Sequence, residues 1–125
     1  MNQSLTKTGR EPRLESFLWG SMTWLLNAES CAGAELSLAR MTLEPGRAAP
    51  RHRHPDCQEA LHLLSGKVEL RVGGESRLLE AGESALIPEG AAHDLRNPGG
   101  RPAVLMIAYG SGTRRYEALA SCGGS

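Results

Sequence analysis

Residues 46–66 read GRAAPRHRHPDCQEALHLLSG. His52 and His54 stand two apart, Glu59 follows five residues after His54, and a glycine closes each end. In an extended chain successive side chains alternate between faces, so His52 and His54 look into one space while Arg51 and Arg53 look out of it. Between Gln58 and Leu64 the chain reads as a β-strand, with Glu59, Leu61 and Leu63 on one face and Ala60, His62 and Leu64 on the other. An acid sharing a face with two leucines, close to paired imidazoles, is a place for a cation or a proton. Two histidines flanked by arginines also read as a solvated basic loop, and the pair alone does not choose.

A second stretch, GESALIPEGAAHDLRN at 82–97, adds His93 after a Pro88-x-Gly90 turn, in strand parity with Leu95 and Asn97. Together the two stretches resemble the cupin superfamily. Its first signature is Gly, five residues, His-x-His, three or four residues, Glu, six residues, Gly, matched by Gly46, His52, His54, Glu59 and Gly66. Its second is Gly, five residues, Pro-x-Gly, two residues, His, three residues, Asn, matched by Gly82, Pro88, Gly90, His93 and Asn97. The resemblance covers residues 46–97 and implies an all-β double-stranded β-helix, a jelly-roll barrel, whose strands bring both signatures into one cavity.

Working outward, 125 residues make one domain, long enough to bury about two thirds of the unfolded surface. Fourteen basic and 14 acidic side chains balance, so charge points to neither a nucleic-acid backbone nor an anionic membrane. There is no apolar run of transmembrane length and no DNA-binding helix pair, and the N-terminus lacks the apolar core of a signal peptide. Cys31, Cys57 and Cys122 are an odd number without CxxC spacing, which leads us to expect a reducing, cytoplasmic setting rather than a disulfide framework. Fifteen glycines and seven prolines punctuate short apolar runs, the pattern of an all-β domain.

Residues 1–13 read as a mobile arm, 14–110 as the barrel and 111–125 as a tail in which 114–120 could form one helical turn. The segment 14–27 carries Phe17, Trp19 and Trp24, which either close one end of the core or pair with a second subunit; the latter predicts a homodimer. In 34–43 the apolar positions shift from Leu36 and Leu38 to Met41 and Leu43, predicting a bulge or burial on both faces. Val68, Leu70 and Val72 alternate cleanly with Lys67, Glu69 and Arg71, and Gly73–Gly74 predicts a tight hairpin.

The resemblance implies that His52, His54, Glu59 and His93 ligate a divalent transition metal. Nitrogen donors suit Fe, Mn, Ni, Cu or Zn over Mg or Ca, and four ligands of an octahedron leave two positions for substrate or dioxygen. Glu59 and His54 are the catalytic candidates. Cys57 reads either as a packed small residue or as a soft ligand or oxidisable thiol facing the cavity, and His62 fails the parity test. Asn97 is expected to bond backbone, and Arg40, Gln58 and Tyr109 are candidates for the cavity wall. Among cupin activities we expect a dioxygenase-type oxidoreductase acting on a small carbonyl or carboxylated substrate. A metal-assisted lyase or isomerase and a non-catalytic small-molecule binding module are the alternatives. Five aromatic residues in the whole chain offer few rings for stacking a flat substrate.

Overall fold

The computed structural model of the chain describes residues 6–9 and 11–119. Cys122, the start of the expected arm and the end of the expected tail lie outside the described residues. Eleven strands follow in order: β1 (Arg13–Phe17), β2 (Gly20–Leu26), β3 (Ser37–Leu43), β4 (Ala48–Arg53), β5 (Glu59–Ser65), β6 (Lys67–Val72), β7 (Glu75–Glu80), β8 (Ser84–Ile87), β9 (His93–Arg96), β10 (Ala103–Tyr109) and β11 (Glu117–Ala118). They form two antiparallel sheets, β1-β2-β3-β10-β5-β8 and β11-β4-β9-β6-β7. No helix among the described residues is long and apolar enough to cross a membrane. The expected jelly roll is the architecture observed.

The core lies between the sheets. Period-two alternation turns Met41, Leu43, Leu61, Leu63, Leu105 and Ile107 of the six-stranded sheet inward, against Val68, Leu70, Leu79 and Leu95 of the other. Each such side chain, fully buried, contributes about 1.5–3 kcal/mol. The hairpin between β6 and β7 turns at Gly73, which takes φ +59°. Gly66 is needed for two reasons: its φ is +86°, and a Cβ there would stand 2.9 Å from Ala103 Cα.

Two expectations are corrected. In β3 the register against β10 runs without a break from Ser37 to Leu43. Ser37, Ala39, Met41 and Leu43 are buried, while Leu36 and Leu38 are exposed on the other side. The parity therefore never changes: the small inward residues Ser37 and Ala39 hid the true face. At the C-terminal end no helical turn forms; Glu117 and Ala118 pair with Arg53 and His52 as β11. The register shifts instead in β2 against β3, between β10 and β5, and in β4 against β9 between Ala49 and His52; the last of these bears on the site. One extra residue there lets Ala49 and His52, three apart, both face inward.

The segment 111–119 is bound along its length. Ser37 Oγ donates to Ser111 O (2.6 Å) and Ala28 N to Gly112 O (2.9 Å). Arg115 N donates to Asp56 Oδ1 (2.9 Å) and Leu119 N to Arg51 O (3.1 Å). This segment crosses the end of the barrel where the core turns polar.

Candidate metal centre

His52 lies on β4, His54 just past its end, and His93 opens β9, where the register sets it directly opposite His52. Glu59 opens β5 in the other sheet, between Tyr109 of β10 and Ile87 of β8. Four side chains from both sheets thus meet at one end of the core, with ligating atoms all within 4.8 Å of one another. His54, Glu59 and His93 are each 2% exposed and His52 9%, so the group is buried.

Each imidazole is fixed from behind. His52 Nδ1 donates to Pro50 O (2.7 Å), His54 Nδ1 to Arg115 O (2.8 Å) and His93 Nδ1 to Ala91 O (2.9 Å). A carbonyl only accepts, so the proton of each neutral ring sits on Nδ1, leaving Nε2 with its lone pair toward the centre. This is the backing expected of metal-bound histidines. Glu59 Oε1 lies 3.2 Å from both His54 Nε2 and His93 Nε2. Between neutral imidazoles and a carboxylate these contacts join acceptor to acceptor, and all three buried atoms lack a hydrogen-bond partner. Something positive has to stand among them. Three imidazole nitrogens and one carboxylate oxygen are a donor set for a first-row divalent ion, so the residues fit the expected metal.

Burial alone would raise the Glu59 carboxyl, but the contacts with His54 and His93 outweigh it and hold it down at about 2. Burial would lower His93, and contact with Glu59 reverses that and raises it. His52 is lowered to about 4, by burial first and by the charge of His93 second. His52, lowered in this way, surrenders its proton readily, as cation binding requires.

A cavity of about 360 Å³ opens beside the cluster. Its walls include Phe17, Trp19, Met22, Tyr109, Arg114 and Tyr116. Four of the five aromatic residues therefore gather here, so their scarcity in the chain does not describe the site. Their faces are largely engaged: Phe17 stacks on Trp19 (4.6 Å), Tyr116 on His52 (4.6 Å), and Tyr109 meets His54 edge-on (5.0 Å). Burial, and next the charge of Glu59, raise Tyr109 well above the usual phenol range, so its hydroxyl keeps its proton.

The remaining candidates separate. Cys57 is buried in the core and does not line the cavity; burial, then Asp56, pushes its thiol up to about 11, so it is a packed thiol and not a thiolate ligand. Tyr109 is on the wall as expected, whereas Arg40 and Gln58 are exposed away from it. His62 faces outward, with its Nδ1 2.6 Å from Ser84 Oγ. Arg53 pairs outside with Glu117 (2.6 Å). Asn97 bonds backbone: its Nδ2 donates to Leu43 O (2.9 Å) and Arg101 O (2.8 Å), and its Oδ1 accepts from Gly99 N (2.9 Å). Sequence reasoning missed Arg114, Tyr116 and the Arg115 carbonyl. They sit in an aperiodic stretch with a two-residue strand, where neither alternation nor spacing leaves a signal.

The comparisons with known proteins match this geometry. A germin-like protein 3-8 of Oryza sativa subsp. japonica is 34% identical over 93 residues, 68% of this chain and 41% of its own length. A solved oxalate oxidase in complex with the substrate analogue glycolate superposes with a TM-score of 0.75 at 25% identity, over 95% of this chain and 63% of that one. A Bacillus subtilis oxalate decarboxylase, studied for its Mn(II) centres, gives 0.75 at 25% identity over 88% of this chain and 30% of that one. The chain spans about half the length of the curated relatives it matches. The cupin domain family matches residues 39–109, from the middle of β3 to the end of β10 and across all four clustered ligands. With fold, register and sequence span in agreement, the chain belongs to the cupin domain family.

Proposed function

We propose that this chain is a metal-dependent cupin oxidoreductase acting on a small carboxylated substrate, with His52, His54, Glu59 and His93 as ligands. The observation that carries the reading is the meeting of buried acceptors at 3.2 Å with no donor among them. Fe, Mn, Ni, Cu and Zn all suit the donors, and the likeness to a protein with Mn(II) centres favours Mn. When bound, such an ion polarises a substrate oxygen and, if redox-active, exchanges electrons with substrate or dioxygen. The chain itself fixes the imidazoles through their Nδ1 bonds and keeps Glu59 ionised. Glu59 and His54 take part in the reaction as ligands rather than as a free acid and base, because Oε1 and Nε2 face each other.

A second reading, lyase chemistry without net oxygen consumption, is favoured by the likeness to an oxalate decarboxylase. Elemental analysis of protein purified without added metal is expected to find about one transition-metal ion per chain. Oxygen uptake and carbon dioxide release with oxalate, glycolate and 2-oxo acids then decide: uptake supports the oxidase or dioxygenase type, release without uptake the lyase. A metal-free protein that takes up no Mn, Fe, Ni, Cu or Zn sinks the proposal.

We also infer a homodimer through the outer face of the six-stranded sheet. There the registers line up Leu38, Ala108, Ala60 and Leu86 in one row across β3, β10, β5 and β8. Leu38 is 40% and Leu86 61% exposed, and a contiguous apolar row on an open sheet is what a second copy covers. Leu86→Glu is expected to halve the native mass measured by light scattering; a wild-type protein that already runs as a monomer overturns it. Placement in the cytoplasm belongs to the same reading and is supported by Cys31 and Cys57, both buried as free thiols.

A further inference from the structure

We propose that Arg114 selects the substrate: its guanidinium holds the carboxylate of a short acid whose second oxygen faces the metal ligands. The inference rests on the metal-centre reading above and assigns the half of the site that the ligand set does not. Apart from the histidines, Arg114 is the cationic side chain of the cavity wall. Its guanidinium carbon stands 4.7 Å from the centre of the Trp24 ring, 4.9 Å from Tyr109 and 5.6 Å from Tyr116. The rings support the cation through their faces, but a face accepts poorly from the N–H groups in the guanidinium plane. Nε is buried without a hydrogen-bond partner, and no ion pair engages Arg114 among the described residues.

The acids nearby are committed elsewhere. Glu59 faces His54 and His93, and Glu15, also on the wall, accepts from Trp24 Nε1 (2.7 Å) and lies 4.0 Å from Arg13. A guanidinium at a cavity with its fork unanswered is built for a planar anion taken through two parallel N–H bonds.

Position limits the length of the ligand. Tyr109 lies 5.0 Å from the His54 ring and 4.9 Å from the guanidinium, and Tyr116 lies 4.6 Å from His52 and 5.6 Å from the guanidinium. One aromatic ring thus separates the anchor from the ligands. A hydroxy acid, 2-oxo acid or dicarboxylic acid of a few carbons spans that gap, while a long-chain acid or a neutral carbonyl compound uses only one end. Arg114 also lies beyond residues 39–109, the span that the cupin domain family matches, on the segment fastened across the barrel mouth. Loops laid over a common scaffold are where specificity resides.

The test compares wild type, Arg114→Gln and Arg114→Lys, each metal-loaded and chelated, titrated with glycolate and with its neutral counterpart glycolamide. Trp24 under the guanidinium and Trp19 in the wall provide the readout by intrinsic fluorescence. Wild type is expected to prefer the anion. Arg114→Gln is expected to weaken glycolate binding by roughly 10- to 100-fold, the loss of one charge-assisted pair, with glycolamide binding and metal content unchanged. Arg114→Lys is expected to fall between, keeping charge without the fork. Equal binding of anion and amide by wild type overturns the proposal, as does wild-type glycolate affinity in a fully metallated Arg114→Gln. The chelated samples separate the two readings: the preference of wild type over Arg114→Gln for the anion persists there if Arg114 is the anchor, whatever metal analysis says of the four ligands.

Discussion

His93→Ala is expected to lower metal affinity by about 100-fold while leaving the metal-free fold intact. A four-ligand site with a total binding free energy of about 10–16 kcal/mol loses on the order of 3 kcal/mol with one ligand. His93 is the cleanest choice of the three histidines. Its Nδ1 bonds Ala91 O within its own loop, whereas His54 also fastens the 111–119 segment through Arg115 O. In the metal-free protein the substitution removes one of the acceptors crowding Glu59 Oε1, which offsets part of the lost packing. The signature is therefore differential: added Mn or Zn raises the melting temperature of wild type but hardly that of His93→Ala. His62→Ala, on the outer face, serves as the control and should retain the full rise. Equal metal content and equal thermal shifts in wild type and His93→Ala would remove His93 from the ligand set.

Asn97→Ala is expected to destabilise the fold by about 2–5 kcal/mol, a large part of a typical 5–15 kcal/mol total. Asn97 is fully buried and ties two places together with three bonds: the end of β3 through Leu43 O, and the turn after β9 through Arg101 O and Gly99 N. Truncation leaves the two carbonyls without a donor in the interior. Asn97→Asp is expected to be at least as costly, because it sets a carboxylate oxygen against those same two carbonyls while still accepting from Gly99. Urea unfolding followed by tryptophan fluorescence measures both. A loss under 1 kcal/mol in either variant would show that water replaces the side chain.

The spacing of residues made the buried quartet legible, because a sequence signature written as intervals is a statement about strand lengths and turns. His52, His54, Glu59, His93 and Asn97 each occupy the place that reading gave them. The strand β6 was legible for the simpler reason that Val68 and Leu70 alternate with charge. In β3 the inward positions Ser37 and Ala39 are small, so the larger Leu36 and Leu38 drew the eye to the face that another surface covers or water wets. Arg114 and Tyr116 escaped because nothing local places them. They reach the cavity through long-range bonds, from Ser37 to Ser111 and from Arg115 to Asp56, that composition and period do not encode. The aromatic count left one thing unsaid: an average over the chain is silent about where four rings converge, though their engaged faces still leave little room to stack a flat substrate.

The bulge between Ala49 and His52 makes chain length, more than chemical identity, the tightly fixed property of that short stretch. Arg51 is half-buried and Pro50 edges the cavity, and deleting either one would rotate His52 toward solvent and break the quartet at its base. Anyone grafting this centre onto another barrel, or trimming this one, has to carry over the count of residues there before considering which residues they are.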